Sequence, residues 1–359
     1  MGTEKKKWVA PNLRVAEALR ERVAGLKPGD SLGTEVAIAA EFAVSRMTAR
    51  KAVESLVAGG LVERRAGVGV FVREAEKGPK RFRFLAGNLL WDSTIRVASA
   101  FRRVAAAAGA EVELRDAEGD AAKLKSELSE LPSSGVSGAV VFSIHDAELT
   151  KTIAELASKG FPLVVVDEAF EASTDVVGVV SDNALGGRLV AERLIHVGHR
   201  DLAFIGDYVA DTVRARWAGF RQIAEQKGLK PVRVELKAGD RLGDWTHVIH
   251  EATRRLLKRK TRPTGIFCSC DAVARHVLRA LEAHGLSVPR DVSLVGFDDD
   301  PIAEWTTPAL TTVRQDFSAL GEVAARKLTG LVDKKVLEGE TSVVPVSLVV
   351  RDSVVSRKR

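Results

Sequence analysis

A small α+β head followed by a larger α/β body built on parallel sheets is the architecture this sequence predicts, and three observations predict it. Excess positive charge is confined to the first quarter of the chain. A three-helix pattern with a glycine-centred hairpin fills that same quarter. Beyond it, short apolar runs alternate with helix-period segments as far as the C-terminus. The 359 residues exceed one compact core and suggest two or three domains. Apolar residues at 45% and charged residues at 28% are ordinary globular composition, and two cysteines cannot build a disulfide framework. No apolar run is long enough to span a bilayer, so no membrane partner is expected. The opening MGTEKKKWVAPN has no apolar stretch behind its lysines, so it does not read as a secretory signal and a cytoplasmic protein is expected.

Residues 1–83 hold 17 Lys and Arg against 10 Asp and Glu, a net of +7, while the remainder holds 37 against 38, a net of −1. A basic segment on a near-neutral body points to an anionic partner for one domain only, most often nucleic acid. Lys5-Lys6-Lys7 alone would fit a solubilising tail, but the other charges lie within a patterned sequence.

Each element of the head has a local reason. Residues 11–26 place Ala16, Leu19 and Val23 on one helical stripe, and Pro28-Gly29-Asp30 makes a turn. Thr34 caps a short helix that turns Ile38, Ala39 and Phe42 inward. Ser45 caps a third helix, whose Ala49, Ala52, Val53, Leu56 and Val57 form one buried face before Gly59-Gly60 ends it. Residues 61–73 then alternate around Gly67-Val-Gly69 as a β-hairpin. Helix–turn–helix followed by a hairpin is a winged helix. On its third helix Ser45, Arg46, Thr48 and Arg50 stand near the N-terminus, where free N–H groups and the dipole favour phosphate and Arg can bridge guanine O6 and N7. Arg64, Arg65 and the glycine turn at Gly67 complete a DNA-facing set, with Thr34 and Lys51 as further candidate contacts. A solvated helix face is the competing reading of any single Arg pair.

Residues 74–83, EAEKGPKRFR, read as a linker. In the body, strands are predicted at 82–86, 111–114, 139–143, 163–167, 176–180, 202–206, 265–269 and 293–297. Helices are predicted at 95–108, 147–159, 184–197, 213–227, 246–260 and 271–284. This rhythm implies parallel sheets covered on both faces, arranged as one large sheet or two smaller lobes.

Ligands of such sheets bind beyond the C-terminal strand ends. Ser143, Asp167-Glu168, Asp182-Asn183, Asp271 and Asp298-Asp299-Asp300 stand there. Carboxylates accept hydrogen bonds from hydroxyls in pairs, so a ring of them suits a sugar, while Arg216 offers a bidentate donor. Trp91, Trp217, Trp245 and Trp305 are candidates for stacking, although each singly fits a core position equally well. A strand-end Asp is as often a helix cap as a ligand group. Cys268-Ser-Cys270 lacks a second pair, and His247 with His250 lacks a third ligand, so no metal site is expected. Neither a phosphate-cradling G-x-x-x-x-G-K nor a G-x-S-x-G elbow occurs, so no cofactor and no catalytic residues are expected.

Two resemblances sharpen these readings. The stretch PGDSLGTEVAIAAEFAVSRMTARKAVESLVAGGLVERRAGVGVFV is similar to the DNA-binding domain of GntR-type bacterial repressors. That resemblance assigns DNA contacts to Ser45, Arg46, Thr48, Arg50, Arg65 and Gly67. VSDNALGGRLVAERLIHVGHRDLAFIGD, RWAGFRQ, PTGIFCSCDAVARHVLRALEAHGLSVPRDVSLVGFDD and TPALTTVRQDFSALGEVAARKL resemble the effector-binding core of the lactose-repressor family, which is similar to periplasmic sugar-binding proteins. The resemblance implies two α/β lobes, three crossings between them and a ligand in the cleft. It carries a ligand role onto Asp92, Ser93, Thr94, Asp167, Arg216, Cys270, Asp271 and Asp298. The combination, similar to arabinose-type repressors, implies a DNA-binding domain at 1–73, a linker at 74–83 and an effector-binding and dimerisation domain at 84–356. The expected protein is a homodimeric repressor of sugar-metabolism genes, bound to operator DNA and released by a small carbohydrate. A purine, a sugar acid or a sugar phosphate is the alternative effector. A sugar-binding protein with a merely solubilising head and an α/β enzyme are the rival functions.

Overall fold

A computed structural model describes residues 10–73, 79–142, 146–168, 176–207, 210–236, 245–334 and 341–357, apart from the side chains of Ala24, Ala147 and Trp245. The chain divides into two compact units, Met1–Gly78 and Pro79–Arg359.

The head contains α1 (Pro11–Ala24), β1 (Ser31–Gly33), α2 (Glu35–Glu41), α3 (Arg46–Ala58), β2 (Val62–Arg65) and β3 (Gly69–Val72). Thr34 accepts the Ala37 N–H and Ser45 accepts the Thr48 N–H, so both helices start on the caps the sequence offers. Leu19, Ile38, Ala49, Val53 and Leu56 are fully buried at the helix junction. Sequence patterning does not announce β1. It exists because Ser31 and Gly33 pair with Phe71 and Val70, adding a third strand in the order β1-β3-β2.

The second unit has two lobes. The first holds β4 (Lys80–Ala86), α4 (Asp92–Ala107), β5 (Ala110–Asp116), α5 (Ala121–Glu130), β6 (Gly138–Phe142), α6 (Ala147–Ser158), β7 (Leu163–Val166) and β8 (Val177–Ser181). The chain then crosses into α7 (Asn183–His196), β9 (Leu202–Asp207), α8 (Asp211–Gln226), β10 (Val232–Leu236), α9 (Trp245–Leu257), β11 (Gly265–Cys268), α10 (Asp271–Ala283), β12 (Ser293–Asp298), α11 (Ile302–Trp305) and β13 (Thr311–Gln315). It returns through α12 (Phe317–Val332) and β14 (Ser342–Val344) to the first lobe, and crosses a third time into β15 (Val346–Val349). The sheets run β14-β8-β7-β6-β4-β5 and β10-β9-β11-β12-β13-β15, parallel except for the β13–β15 pair. Each lobe therefore repeats one order, with its first strand flanked by the second and third, which places a topological switch beside β4 and beside β9. Separate apolar clusters cover both faces of each sheet. Among the described residues no helix is long and apolar enough to cross a membrane.

One expectation needs correction. Residues 80–83 are not linker but the start of β4, and Arg83 is buried between Glu113 and Glu127 at 2.9 and 3.3 Å. Its charge made the segment read as solvated, whereas two carboxylates from β5 and α5 neutralise it inside the fold.

Helices α7 and α8 touch backbone to backbone. A methyl on Gly187 would overlap the main-chain oxygen of Arg216 and stand 2.8 Å from the Phe220 nitrogen, and a methyl on Gly219 would overlap the oxygen of Ala184. Gly321 of α12 meets the Val97 oxygen of α4 in the same way in the first lobe. Because the obstacle is backbone, Gly187→Ala is expected to destabilise the α/β unit by about 3 kcal/mol, read as a drop of several degrees in its melting transition.

Candidate functional site

On the head, the first turn of α3 is open. Arg46 is exposed with no side-chain partner among the described residues, and Ser45 Oγ lies 2.8 Å from Thr48 Oγ1. Arg50 pairs with Glu54 at 3.1 Å, Arg64 with Glu35 at 2.9 Å, and Arg65 with Glu63 at 2.8 Å while lying 4.5 Å over the Phe71 ring. The Arg50 and Arg65 pairs are solvent-exposed and worth little, so a phosphate can displace them. The hairpin turn carries Gly67 at φ +75° and leaves Val68 63% exposed, and Met47 on α3 is 62% exposed. Periodicity said nothing of Met47 and Val68. Both stand next in the chain to expected contacts, Arg46 and Gly67.

In the α/β unit, functional groups converge at the C-terminal strand ends of both lobes. Arg216, 4% exposed on α8, is held from three sides. Its Nε donates to Asn183 Oδ1 at 2.8 Å, its Nη1 donates to the Ser269 carbonyl at 2.5 Å, and its guanidinium lies 3.7 Å over the Phe297 ring. Asp298 Oδ1 sits 3.6 Å from Nη1 and accepts a 2.7 Å bond from Gln315 Nε2. Asn183 opens α7 at the first crossing and donates to the Ser181 carbonyl, so Arg216 ties the crossing segment to the second lobe.

The backbone is unusual at the same ends. Asp167, Asp298 and Asp299 have φ of +67°, +111° and +56°, and positive φ in non-glycine residues gathers at sites where surrounding structure imposes it. Burial holds Asp167 and Asp298 up at about 6, with Arg216 pulling each down. Burial together with Asp298 and Asp92 holds Asp300 at about 7. Asp299 is the exception in the triplet. Arg314 at 2.6 Å and Arg351 at 2.7 Å overcome its burial and keep its carboxyl below the usual range. Asp167 of the first lobe raises Asp298 of the second, and Asp92 of α4 raises Asp300, so carboxylates of both lobes influence one another at these strand ends. Among the described residues, buried side-chain atoms without a hydrogen-bond partner include Thr94 Oγ1, Asp167 Oδ1, Ser181 Oγ, Asp300 Oδ1 and Gln315 Oε1, four of which lie at or next to strand ends. Buried polar atoms are normally satisfied, so these atoms are candidates to meet a ligand.

Comparison with known proteins gives a relationship for each unit. Residues 11–72 match the model of bacterial regulatory proteins of the gntR family, and residues 191–354 match the periplasmic binding protein-like domain. The HTH-type transcriptional repressor PurR of Erwinia tasmaniensis is 33% identical over 250 residues, spanning 69% of this chain and 72% of that protein. The chain belongs to the LacI family of transcriptional repressors. A LacI-type regulator of Alkaliphilus metalliredigens, solved with D-xylulofuranose, is 25% identical at a TM-score of 0.65, covering 77% of this chain and all of that one. The lac repressor dimer bound to operator and anti-inducer shares the fold at a TM-score of 0.67 and 23% identity, covering 78% of this chain and 96% of that one. The protein is thus a ligand-responsive transcriptional repressor with a GntR-type head, and not an enzyme.

Within this repressor Arg216 and Asp298 come together, with Asp167 acting on Asp298, while Trp91, Asp92, Ser93 and the buried Thr94 stand at the start of α4, with Asp92 paired to Arg96 at 3.5 Å. Cys270 is half-buried at the N-cap of α10, its thiol pushed up to about 12 by burial and by Asp298. Asp271 departs from expectation. It is fully buried with Oδ1 accepting from Thr312 at 2.6 Å and Oδ2 from the Asp300 N–H at 2.9 Å, so it positions Asp300 instead of facing a ligand. Asp182 caps α7, and Trp217 packs on Phe204 in the core. Ser143 and the Trp245 side chain lie outside the described residues. Asp300, Gln315 and Asn183 are the partners that motif reading missed or left unassigned, although Asn183 and Asp300 stood in strand-end runs it had marked.

The raised carboxyls make a stability prediction. Between about pH 4 and 7 the folded unit keeps protons on Asp167, Asp298 and Asp300 that the unfolded chain has released, so these groups lower stability as pH rises through that window. Asp300→Asn is expected to melt progressively higher than the parent protein as pH rises from 5 to 8, measured by scanning fluorimetry without effector.

Proposed function

We propose that this repressor acts as a homodimer on a palindromic operator and is released by a small polyhydroxylated molecule of carbohydrate type. The observation that carries the effector class is the set of acceptors unpartnered among the described residues, at Asp167, Asp300 and Gln315, together with the largely occupied Arg216 guanidinium. Hydroxyl groups donate to such acceptors and accept from the remaining Nη2 of Arg216, with Thr94, Ser181, Cys270, Trp91, Asp92 and Ser93 as further lining. A sugar acid or phosphate fits less well, because Arg216 has its Nε and Nη1 engaged and Asp298 already beside it. The relative solved with D-xylulofuranose supports a sugar-type ligand.

On the DNA side, Arg46 with Ser45, Thr48, Arg50 and Lys51 reads the major groove, and Arg65, Gly67 and Val68 follow the adjacent backbone, with Thr34 beside them. Leu90, Ile95 and Trp305 are exposed apolar side chains at the start of α4 and in α11, and a second copy of the chain covers them in the dimer. Effector binding closes the cleft and changes the spacing of the two heads. By reciprocity, operator must weaken effector binding by the same factor by which effector weakens operator binding.

Two measurements test this. In selection from random duplexes the wild type is expected to enrich a two-fold symmetric site, and Arg46→Ala to lose about 1–3 kcal/mol of discrimination there, with binding that falls steeply with salt. A sugar that releases the selected site is expected to bind the free protein more tightly than the operator complex. Equal affinity in both states sinks the coupling, and selection of no symmetric site sinks the dimeric reading.

A further inference from the structure

The second lobe has a hollow of about 640 Å³ at the end of its sheet opposite the effector residues. It is enclosed by the turns that lead into three neighbouring strands, β9, β10 and β11, all of them described residues. Those strands run parallel, so this is their N-terminal end, and Leu202 at its edge is about 17 Å along β9 from the C-terminal end at Asp207. The exposed part of the lining is cationic. Arg200 comes from the turn before β9, Lys230 from the turn before β10, and Arg259 and Lys260 from the turn before β11, against one carboxylate, Asp201. All four cations are exposed, and among the described residues none has an ion-pair partner. The carboxylates of the neighbouring stretches are engaged: Glu225 lies 3.8 Å from Arg221, Glu235 3.8 Å from Arg233 and Glu251 2.5 Å from Arg254.

Cations at this pole have one ordinary source, because α7, α8 and α9 all finish here and a helix C-terminus attracts positive charge. That accounts for part of the set. Arg200 Nη1 donates to the Ile195 and His199 carbonyls at 3.0 Å each, and Arg193, His196, Arg254 and Arg255 stand in the last turns of α7 and α9. Lys230, Arg259 and Lys260 lie past the last helical residues, Gln226 and Leu257, and their side chains donate to no carbonyl among the described residues. Residues 254–262, RRLLKRKTR, hold six cations and no acid in a body whose net charge is −1. The buried part of the lining is apolar: Leu202 is 2% exposed, Pro263 is buried, and Leu229 and Val232 are half-buried. A solvated cationic face needs neither a concavity nor an apolar base. Small-molecule sites have both, at volumes of about 300–1,000 Å³.

We propose that this hollow is a second ligand site, for a small organic anion with two or more phosphoryl groups. Its phosphates lie on Arg200, Lys230, Arg259 and Lys260, and its carbon skeleton lies on Leu202, Leu229, Val232 and Pro263. Arginine offers phosphate a fork of N–H donors and lysine a mobile point charge, so turns from three strands grip one polyanion. The site is separate from the effector residues and does not rest on the carbohydrate reading.

The test is calorimetric titration of the full chain at low salt with uridine diphosphate, pyrophosphate and inorganic phosphate. Uridine diphosphate and pyrophosphate are each expected to saturate one site per chain, the nucleotide more tightly, and phosphate to bind at least about tenfold more weakly than pyrophosphate. Lys230→Gln together with Lys260→Gln is expected to weaken both diphosphates about tenfold or more. Lys151→Gln together with Lys159→Gln, on α6 of the first lobe, removes the same charge and is expected to change affinity less than about twofold. Arg46→Ala in the head is expected to leave the site intact. Scanning fluorimetry confirms that each variant is folded. No saturable binding of either diphosphate, or binding indifferent to the Lys230 and Lys260 changes, overturns the inference, the second result placing the anion elsewhere. Equal weakening by the Lys151 and Lys159 changes overturns it as diffuse attraction. A non-operator duplex that binds through Lys230 and Lys260 while neither diphosphate does makes the surface one for nucleic acid and overturns it too.

Discussion

The backbone contact between α7 and α8 is the constraint on which the cleft depends. Gly187 lies against the carbonyl of Arg216, and Gly219 against that of Ala184, so each helix is seated on the other at a separation no side chain could keep. That seating brings Arg216 to Asn183 at the lobe crossing and to the Ser269 carbonyl at the end of β11. A guanidinium stacked on Phe297 and bonded on two edges has little freedom left, and a ligand loses little entropy in meeting it. The first lobe repeats the device where Gly321 of α12 meets α4. The helices after the first two crossings are thus both fixed by glycine contacts, which suits a unit that must transmit motion between lobes as rigid bodies.

Around that fixed cation the carboxylates are arranged at a cost. Three aspartates at strand ends hold backbone angles that L-residues rarely adopt, and three are buried enough to raise their carboxyls to about 6 or 7. The Asp298-Asp299-Asp300 run separates its labour by geometry. Asp299 is drawn to Arg314 and Arg351 and anchors the strand end to the C-terminal segment, while Asp298 before it lies beside Arg216 and Gln315. Asp271 beneath them holds the Asp300 backbone and the Thr312 hydroxyl.

The head follows another logic. Its helices begin on Thr34 and Ser45, its core is filled by residues three and four apart, and its functional face is whatever those constraints leave outside. Among the described residues Arg46 has no ion-pair partner, while Arg50, Arg64 and Arg65 rest on glutamates. Exposed Met47 and Val68 add apolar reach at the helix and at the hairpin tip.

Much of this was legible in the residues alone. Caps, turns and periodicity are local, so the head was readable almost element by element, and the eight body strands that could be read as apolar runs all exist within a few residues. Edge and late strands such as β1, β10 and β13 to β15 escaped because their pairing, not their composition, makes them strands. Arg83 escaped because a charged residue reads as exposed until its two glutamate partners, 30 and 44 residues away in the chain, are seen beside it. The sequence by itself determined which residue types stand at the strand ends and which helix carries the basic face. Only the tertiary structure decided that Asp271 and Asp299 are held by Thr312, the Asp300 N–H, Arg314 and Arg351, while among the described residues Asp300 Oδ1 and Gln315 Oε1 are buried without a partner. The physical reason is that a carboxylate's role depends on which donors reach it, and those donors arrive from distant strands across both lobes.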